Sequence, residues 1–207
     1  MRGRLQRRRD RRNLQGSPAL ASLFASAPQD LRTLLANPFN LSIAADLIKT
    51  APATDLSRIR DRLGLLGKYW RIRVAPAPNG RGRERVLRAI VRRMVSERVQ
   101  HATDTDIDDT RMLDALDQLL RDGVLRELAH EPWLSQRPLA FSHPVLFDYA
   151  AALMALGDPN RPEAVAETLD ADPDLAMLLR PSLDMRMAIA WRSDSTKASY
   201  WRLALRL

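Results

Sequence analysis

Along most of the chain, apolar residues return every three or four positions, the spacing that places them on one face of a helix. Leu31, Leu34 and Leu35 form a first short set, and Phe39, Ile43, Leu47 and Ile48 a second. Leu56, Ile59, Leu63, Leu66, Tyr69 and Trp70 keep the spacing and predict one long core-facing helix with an Arg-rich outer side. Beyond the breaker Ala75-Pro76-Ala77-Pro78-Asn79-Gly80, the series Val86, Leu87, Ile90, Val91, Met94, Val95 and Val99 is the cleanest stripe in the chain. His101–Asp106 reads as a polar loop. Met112, Leu113, Leu116, Leu119 and Leu120 predict a helix that stops at Gly123, the residue type suited to a left-handed C-terminal cap. Val124–Leu128 and Leu139–Phe141 are short β-type runs, separated by a loop through Pro132 and Pro138. From His143 to Leu207 the pattern is helical again, punctuated by Pro159, Pro162, Pro173 and Pro181.

One device recurs at the helix starts: a capping residue followed by Pro, as in Ser17-Pro18, Asn37-Pro38 and Asp172-Pro173. Pro costs nothing at the first helical position, because the N–H it lacks has no partner inside the helix. Eight Gly and 5% aromatic residues argue against a turn-rich all-β fold. The predicted class is therefore mainly α. Residues 17–100 form a helical bundle, residues 101–156 have the helix, helix, hairpin order of a winged-helix domain, and residues 157–207 are trailing helices. With 207 residues the chain can bury a core without staples, and the absence of Cys excludes disulfides and Cys-ligated zinc. No stretch of 18 or so uncharged apolar residues is present for a membrane span, and no compact apolar segment follows the Arg-rich start as in a secretory signal. A cytoplasmic protein without membrane partners is the expectation.

The net charge of +8 changes meaning once it is divided along the chain. Residues 1–12 carry +6 and residues 13–57 carry −1, while residues 58–98 hold +10, residues 99–180 hold −10 and the last 27 residues +3. Residues 1–16, almost without apolar side chains, read as a disordered solvated tail or as a nucleic-acid arm or localisation patch. The opposed blocks of the remainder either attract each other within the molecule or present differently charged faces to partners. The basic 58–98 block is a candidate docking face for an acidic protein partner.

Self-contained catalytic machinery is not evident. Gly64-Leu65-Leu66-Gly67-Lys68 imitates the tail of a P-loop, but its Gly residues stand too close together and Tyr69 replaces the hydroxyl that would hold magnesium. Asp104, Asp106 and Asp108 imitate the start of an EF-hand, yet Asp109 stands at the Gly position and Ala115 at the bidentate Glu position. His101, His130 and His143 have no metal spacing. A winged helix suggests DNA binding, but residues 104–122, the would-be recognition helix and its approach, carry seven Asp against Arg111 and Arg121. A DNA-binding regulator would then depend on Arg126 and Arg137 in the wing and on the N-terminal Arg arm. In Phe141-Ser142-His143-Pro144-Val145-Leu146-Phe147-Asp148-Tyr149-Ala150-Ala151-Ala152, Pro144 fits a first helical position. His143 or Ser142 is then the cap, beside free N–H groups that suit a phosphate.

That segment resembles the winged-helix signature of STAND-type ATPases, the signalling branch of AAA+ proteins with NACHT and NB-ARC modules: Phe-x-His followed by an aromatic-rich helix ending in Ala-Ala. Leu34-Leu35-Ala36-Asn37-Pro38-Phe39-Asn40-Leu41 resembles the family's first lid motif, and Leu65-Leu66-Gly67-Lys68-Tyr69-Trp70-Arg71-Ile72-Arg73-Val74 the long lid helix of bacterial members. The resemblance spans about residues 17–155 with three motifs in order. It implies that Pro38 packs on an adenine and that His143 contacts the β-phosphate of ADP, holding a resting state closed. Walker A, Walker B and sensor motifs are missing, so the chain is expected to be a non-catalytic regulatory fragment. On that reading it binds no cofactor alone, meets ADP or ATP only in the intact family arrangement, and has a P-loop ATPase core as its partner.

Overall fold

The computed structural model describes residues 18–51, 56–75, 79–107, 112–129, 136–156, 162–192 and 197–204. It is mainly helical with one small antiparallel sheet. Among the described residues no helix is long and apolar enough to cross a membrane. The chain divides after Ile72 into two compact units.

The first unit contains α1 (Pro18–Ser26), α2 (Gln29–Leu35), α3 (Pro38–Thr50) and α4 (Arg62–Arg73), the last ending at the division. The helix starts follow the local chemistry. Asn37 caps α3 by accepting from the N–H groups of Phe39 at 2.9 Å and Asn40 at 3.4 Å, with Pro38 in the first turn. Arg32 closes the junction of α1 and α2 by donating to the carbonyls of Ala27 at 2.9 Å and Ala25 at 3.1 Å. Leu31, Leu35, Ile43, Ala44 and Leu47 are buried where α2 and α3 pack. The buried Asn40 holds the tight connection by donating to the carbonyl of Leu34 at 2.9 Å.

α4 is shorter than the apolar spacing predicts. Leu56 and Ile59 are buried, but from a turn in which the Ile59 N–H donates to the Leu56 carbonyl, and the helix begins only at Arg62. Asp61 sets that start by accepting from the Gly64 N–H at 2.9 Å. A turn that buries two residues three apart mimics helical periodicity, so the spacing alone ran the helix too far back. The P-loop-like Gly64–Lys68 segment lies within α4.

The second unit is built around two hubs. α5 (Gly80–Glu97) packs on β1 (Ala102–Thr103), α6 (Leu113–Arg121) and α7 (Pro144–Met154). α7 in turn packs on β3 (Pro138–Phe141) and α9 (Pro173–Arg192), which carries α8 (Pro162–Ala171) and α10 (Lys197–Ala204). Ala150, Ala151 and Ala152 of α7 are all fully buried, which lets neighbours close on several sides of that helix. At the start of α5, a Cβ on Gly80 would meet the Ala75 carbonyl oxygen at 2.5 Å, so only Gly fits.

The sheet has the order β1-β3-β2, where β2 is Leu125–Glu127. Leu125 pairs with Phe141 and Glu127 with Leu139, which realises the expected hairpin with shifted ends. Gly123 precedes it at φ +67°, the left-handed cap of α6. The structure adds β1, which lies inside the segment expected to be a loop: Ala102 pairs with Leu139 and Thr103 with Pro138. Two residues are too few to show alternation, and only the distant β3 makes them a strand.

Two other departures follow from cap chemistry and packing. The α5 stripe ends at Glu97, with Arg98 left-handed at φ 55°, so Val99 lies outside the helix. Pro181 does not interrupt the chain's last long helix, because α9 runs through it from Pro173 to Arg192.

Candidate functional site

His143 is the N-cap of α7. Its backbone is extended at φ −145° and ψ 139°, Pro144 takes the first helical position, and Nδ1 accepts from the Val145 N–H at 3.3 Å. Nδ1 therefore serves the helix start, and Nε2 is the ring's other polar atom. The ring is half-buried, and it satisfies one of the donors that would otherwise be open to an anion. The strand–cap–helix order that fixes it comes from Phe141, buried and edge-to-face with Phe147 at 5.9 Å between centroids.

Pro38 is exposed at the first position of α3 in the other unit. Beside it, the Phe39 ring is half-buried, with the Arg62 guanidinium 6.0 Å from its centroid. His101 is exposed, while His130 lies outside the described residues, as do Asp108 and the N-terminal Arg run. Among the described residues no group of three or more His, Asp or Glu is placed to hold a metal ion.

The Asp pair of the EF-hand-like segment is committed to local structure. Asp106 accepts from the Thr103 N–H at 2.7 Å and from its hydroxyl at 3.0 Å, a capping box on the 3-10 turn Asp104–Asp106. Asp104 accepts from the Arg137 Nε at 2.9 Å and from the Arg137 backbone N–H at 3.0 Å. Arg137 reaches on to Glu127 at 3.2 Å, so the wing Arg expected to touch a DNA backbone instead ties β3 to β2 and to the turn after β1. Arg126 remains exposed. Nothing in the local sequence announces the role of Arg137, since Asp104 lies 33 residues away.

Burial alone would raise the Asp104 carboxyl, but the Arg137 hydrogen bonds and charge outweigh it and hold the group below the usual carboxylate range. A carboxylate depressed in the folded state contributes stability above its unfolded value, near 3.8, and that stability is lost as pH falls through the folded value. Thermal melts should therefore show wild type losing more stability than Asp104→Asn between about pH 5 and 3. Parallel melting curves for the two proteins would contradict this role.

Charged side chains also fasten α5. Arg83, only 13% exposed, pairs with Asp122 at 2.8 Å, donates to Gln118 at 2.9 and 3.1 Å, and donates to the Arg73 carbonyl. Arg93 pairs with Glu97 and, at 3.3 Å, with Asp106. Arg98 pairs with Asp172. Asp172 also caps α9 by accepting from the Leu175 N–H at 3.0 Å, and that bond, helped by Arg98, holds its carboxyl low. Comparison of the chain with protein-family models, with curated proteins and with solved structures finds no match.

Proposed function

We propose that the chain is the regulatory, non-catalytic part of a STAND-type signalling ATPase: a lid-like bundle over residues 17–100, a winged-helix-like module over 101–156, and the first helices of a further array. In this reading a separate P-loop core grips the nucleotide. Pro38 packs on its adenine, and His143 contacts the β-phosphate of ADP from the start of α7. Exchange of ADP for ATP removes the contact that holds the module closed and releases it. The single observation that carries the reading is the His-Pro start of α7, directly after the central strand of a three-stranded sheet. The order of elements, α5, β1, α6, β2, β3, α7, supports it as well.

The test separates the cap from the phosphate contact. His143→Ala removes both and should cost about 1 kcal/mol in urea unfolding, whereas His143→Asn supplies a good cap and should stay near wild type. Calorimetry of ADP against this chain alone should show no heat. Joined to its P-loop core, the protein should bind ADP at least about tenfold more weakly as His143→Asn, a loss of one charge-assisted contact. Unchanged affinity in that variant would overturn the role of His143, and ADP heat from the chain alone would overturn the need for a separate core.

A further inference from the structure

The seven Arg residues from position 81 to 98 fall into two groups. Arg83, Arg93 and Arg98 are used inside the unit, paired with Asp122, with Glu97 and Asp106, and with Asp172. Arg81, Arg85, Arg88 and Arg92 are all exposed and have no hydrogen-bond or ion-pair partner among the described residues. At 3.6 residues per turn these four lie within a wedge of about 60°, opposite the buried Val86, Leu87, Ile90, Val91 and Met94, and span about 16 Å of helix. Neighbouring like charges three and four apart weaken a helix. Glu84, the nearest acidic residue on α5, is half-buried to one side and pairs with none of them. Four aligned, uncompensated guanidiniums on a unit whose residues 73–207 sum to −1 are a localised positive stripe rather than a general basic surface.

We propose that this stripe binds the phosphate backbone of duplex DNA, each guanidinium taking a phosphate oxygen. Three observations favour that occupant. The stripe holds Arg only, whose planar, forked donors match phosphate geometry. It includes no exposed apolar or aromatic side chain; the exposed large apolar residues, Leu113, Met177, Leu178, Trp191 and Trp201, are on other helices. It therefore lacks both the apolar anchor of a protein interface and the stacking platform of a single-strand site. Its geometry is that of a helix edge laid along the B-form major groove, about 12 Å wide, which the narrow A-form groove of RNA does not admit. The contact makes no use of α6, whose acidic face repels DNA, and carries no base-reading group, so it is independent of sequence. It also stands apart from the nucleotide reading above, since neither Pro38 nor His143 takes part.

The experiment measures anisotropy of a labelled 20-base-pair DNA duplex with the full chain over a salt series. Four contacts contribute about 3.6 to the slope of log K against log salt, at roughly 0.9 per phosphate. Replacing Arg81, Arg85, Arg88 and Arg92 together by Gln should remove about that much slope and weaken binding at least about 10²-fold at low salt. Replacing the seven Arg of residues 1–12 by Gln should leave that part of the slope in place. Two duplexes of unrelated sequence should bind alike. The quadruple variant should melt no lower than wild type, because relieved repulsion excludes unfolding as the cause. Full binding retained by the quadruple variant would overturn the proposal. So would tighter binding of an RNA duplex, or binding of a poly-glutamate peptide with none of DNA, the result that marks an acidic protein partner.

Discussion

Phe141→Ala is expected to lower the stability of the unit that begins at Arg73 by about 3–5 kcal/mol, the loss typical of truncating a buried aromatic residue. The ring is 4% exposed at the end of β3, the central strand, where Phe141 pairs with Leu125 across the sheet. On its other side it meets Phe147 of α7 edge to face at an interplanar angle of 64°. Truncation therefore opens a cavity between sheet and helix two residues before His143, and neither β3 nor α7 can collapse into it without breaking the β1-β3-β2 ladder. Phe141→Leu keeps most of the volume and should cost less than about 1.5 kcal/mol. Urea unfolding of the three proteins decides the matter. Equal losses for Ala and Leu would mean that this Phe does something other than fill space.

The same residue shows how far sequence carries the fold. Features written in one to four neighbouring residues were legible: Asn37-Pro38 and Asp172-Pro173 as helix starts, Gly123 as a left-handed cap, and the short β-type runs that become β2 and β3. Features created by distant partners were not. Ala102 and Thr103 are a strand only because Leu139 and Pro138 lie beside them, and Arg137 is an internal brace only because Asp104 is there to accept it. Arg98 illustrates the competition directly. A left-handed position normally favours Gly, but here the side chain that Gly lacks reaches Asp172 and joins the end of α5 to the start of α9. For the candidate site, the start of α7 at Pro144 followed from the sequence, which left the cap between Ser142 and His143; the structure gives it to His143. The stripe on α5 was written in the sequence as a run of Arg, but sorting paired from unpaired guanidiniums required Asp122, Asp106 and Asp172 to be placed in space.

Pro181 supplies the largest expected gain in stability. It lies inside the 20-residue α9, exposed, where its missing N–H leaves the Met177 carbonyl without its helical partner and its ring crowds that carbonyl. Met177 itself is 79% exposed, so water can reach this part of the helix and soften the loss. An interior Pro is worth about 3 kcal/mol less than Ala in a helix, and the stiffness it lends the unfolded chain returns at most about 1 kcal/mol. Pro181→Ala should therefore stabilise the unit by about 2 kcal/mol and move the urea midpoint upward without changing the slope of the transition. The opposite sign has its own physical meaning. α9 packs along α7, and a change in the course of α9 at position 181 would alter that contact. A lower midpoint for Pro181→Ala would then show that Pro181 itself is needed for the packing of α9 on α7, whose Ala150–Ala152 are buried.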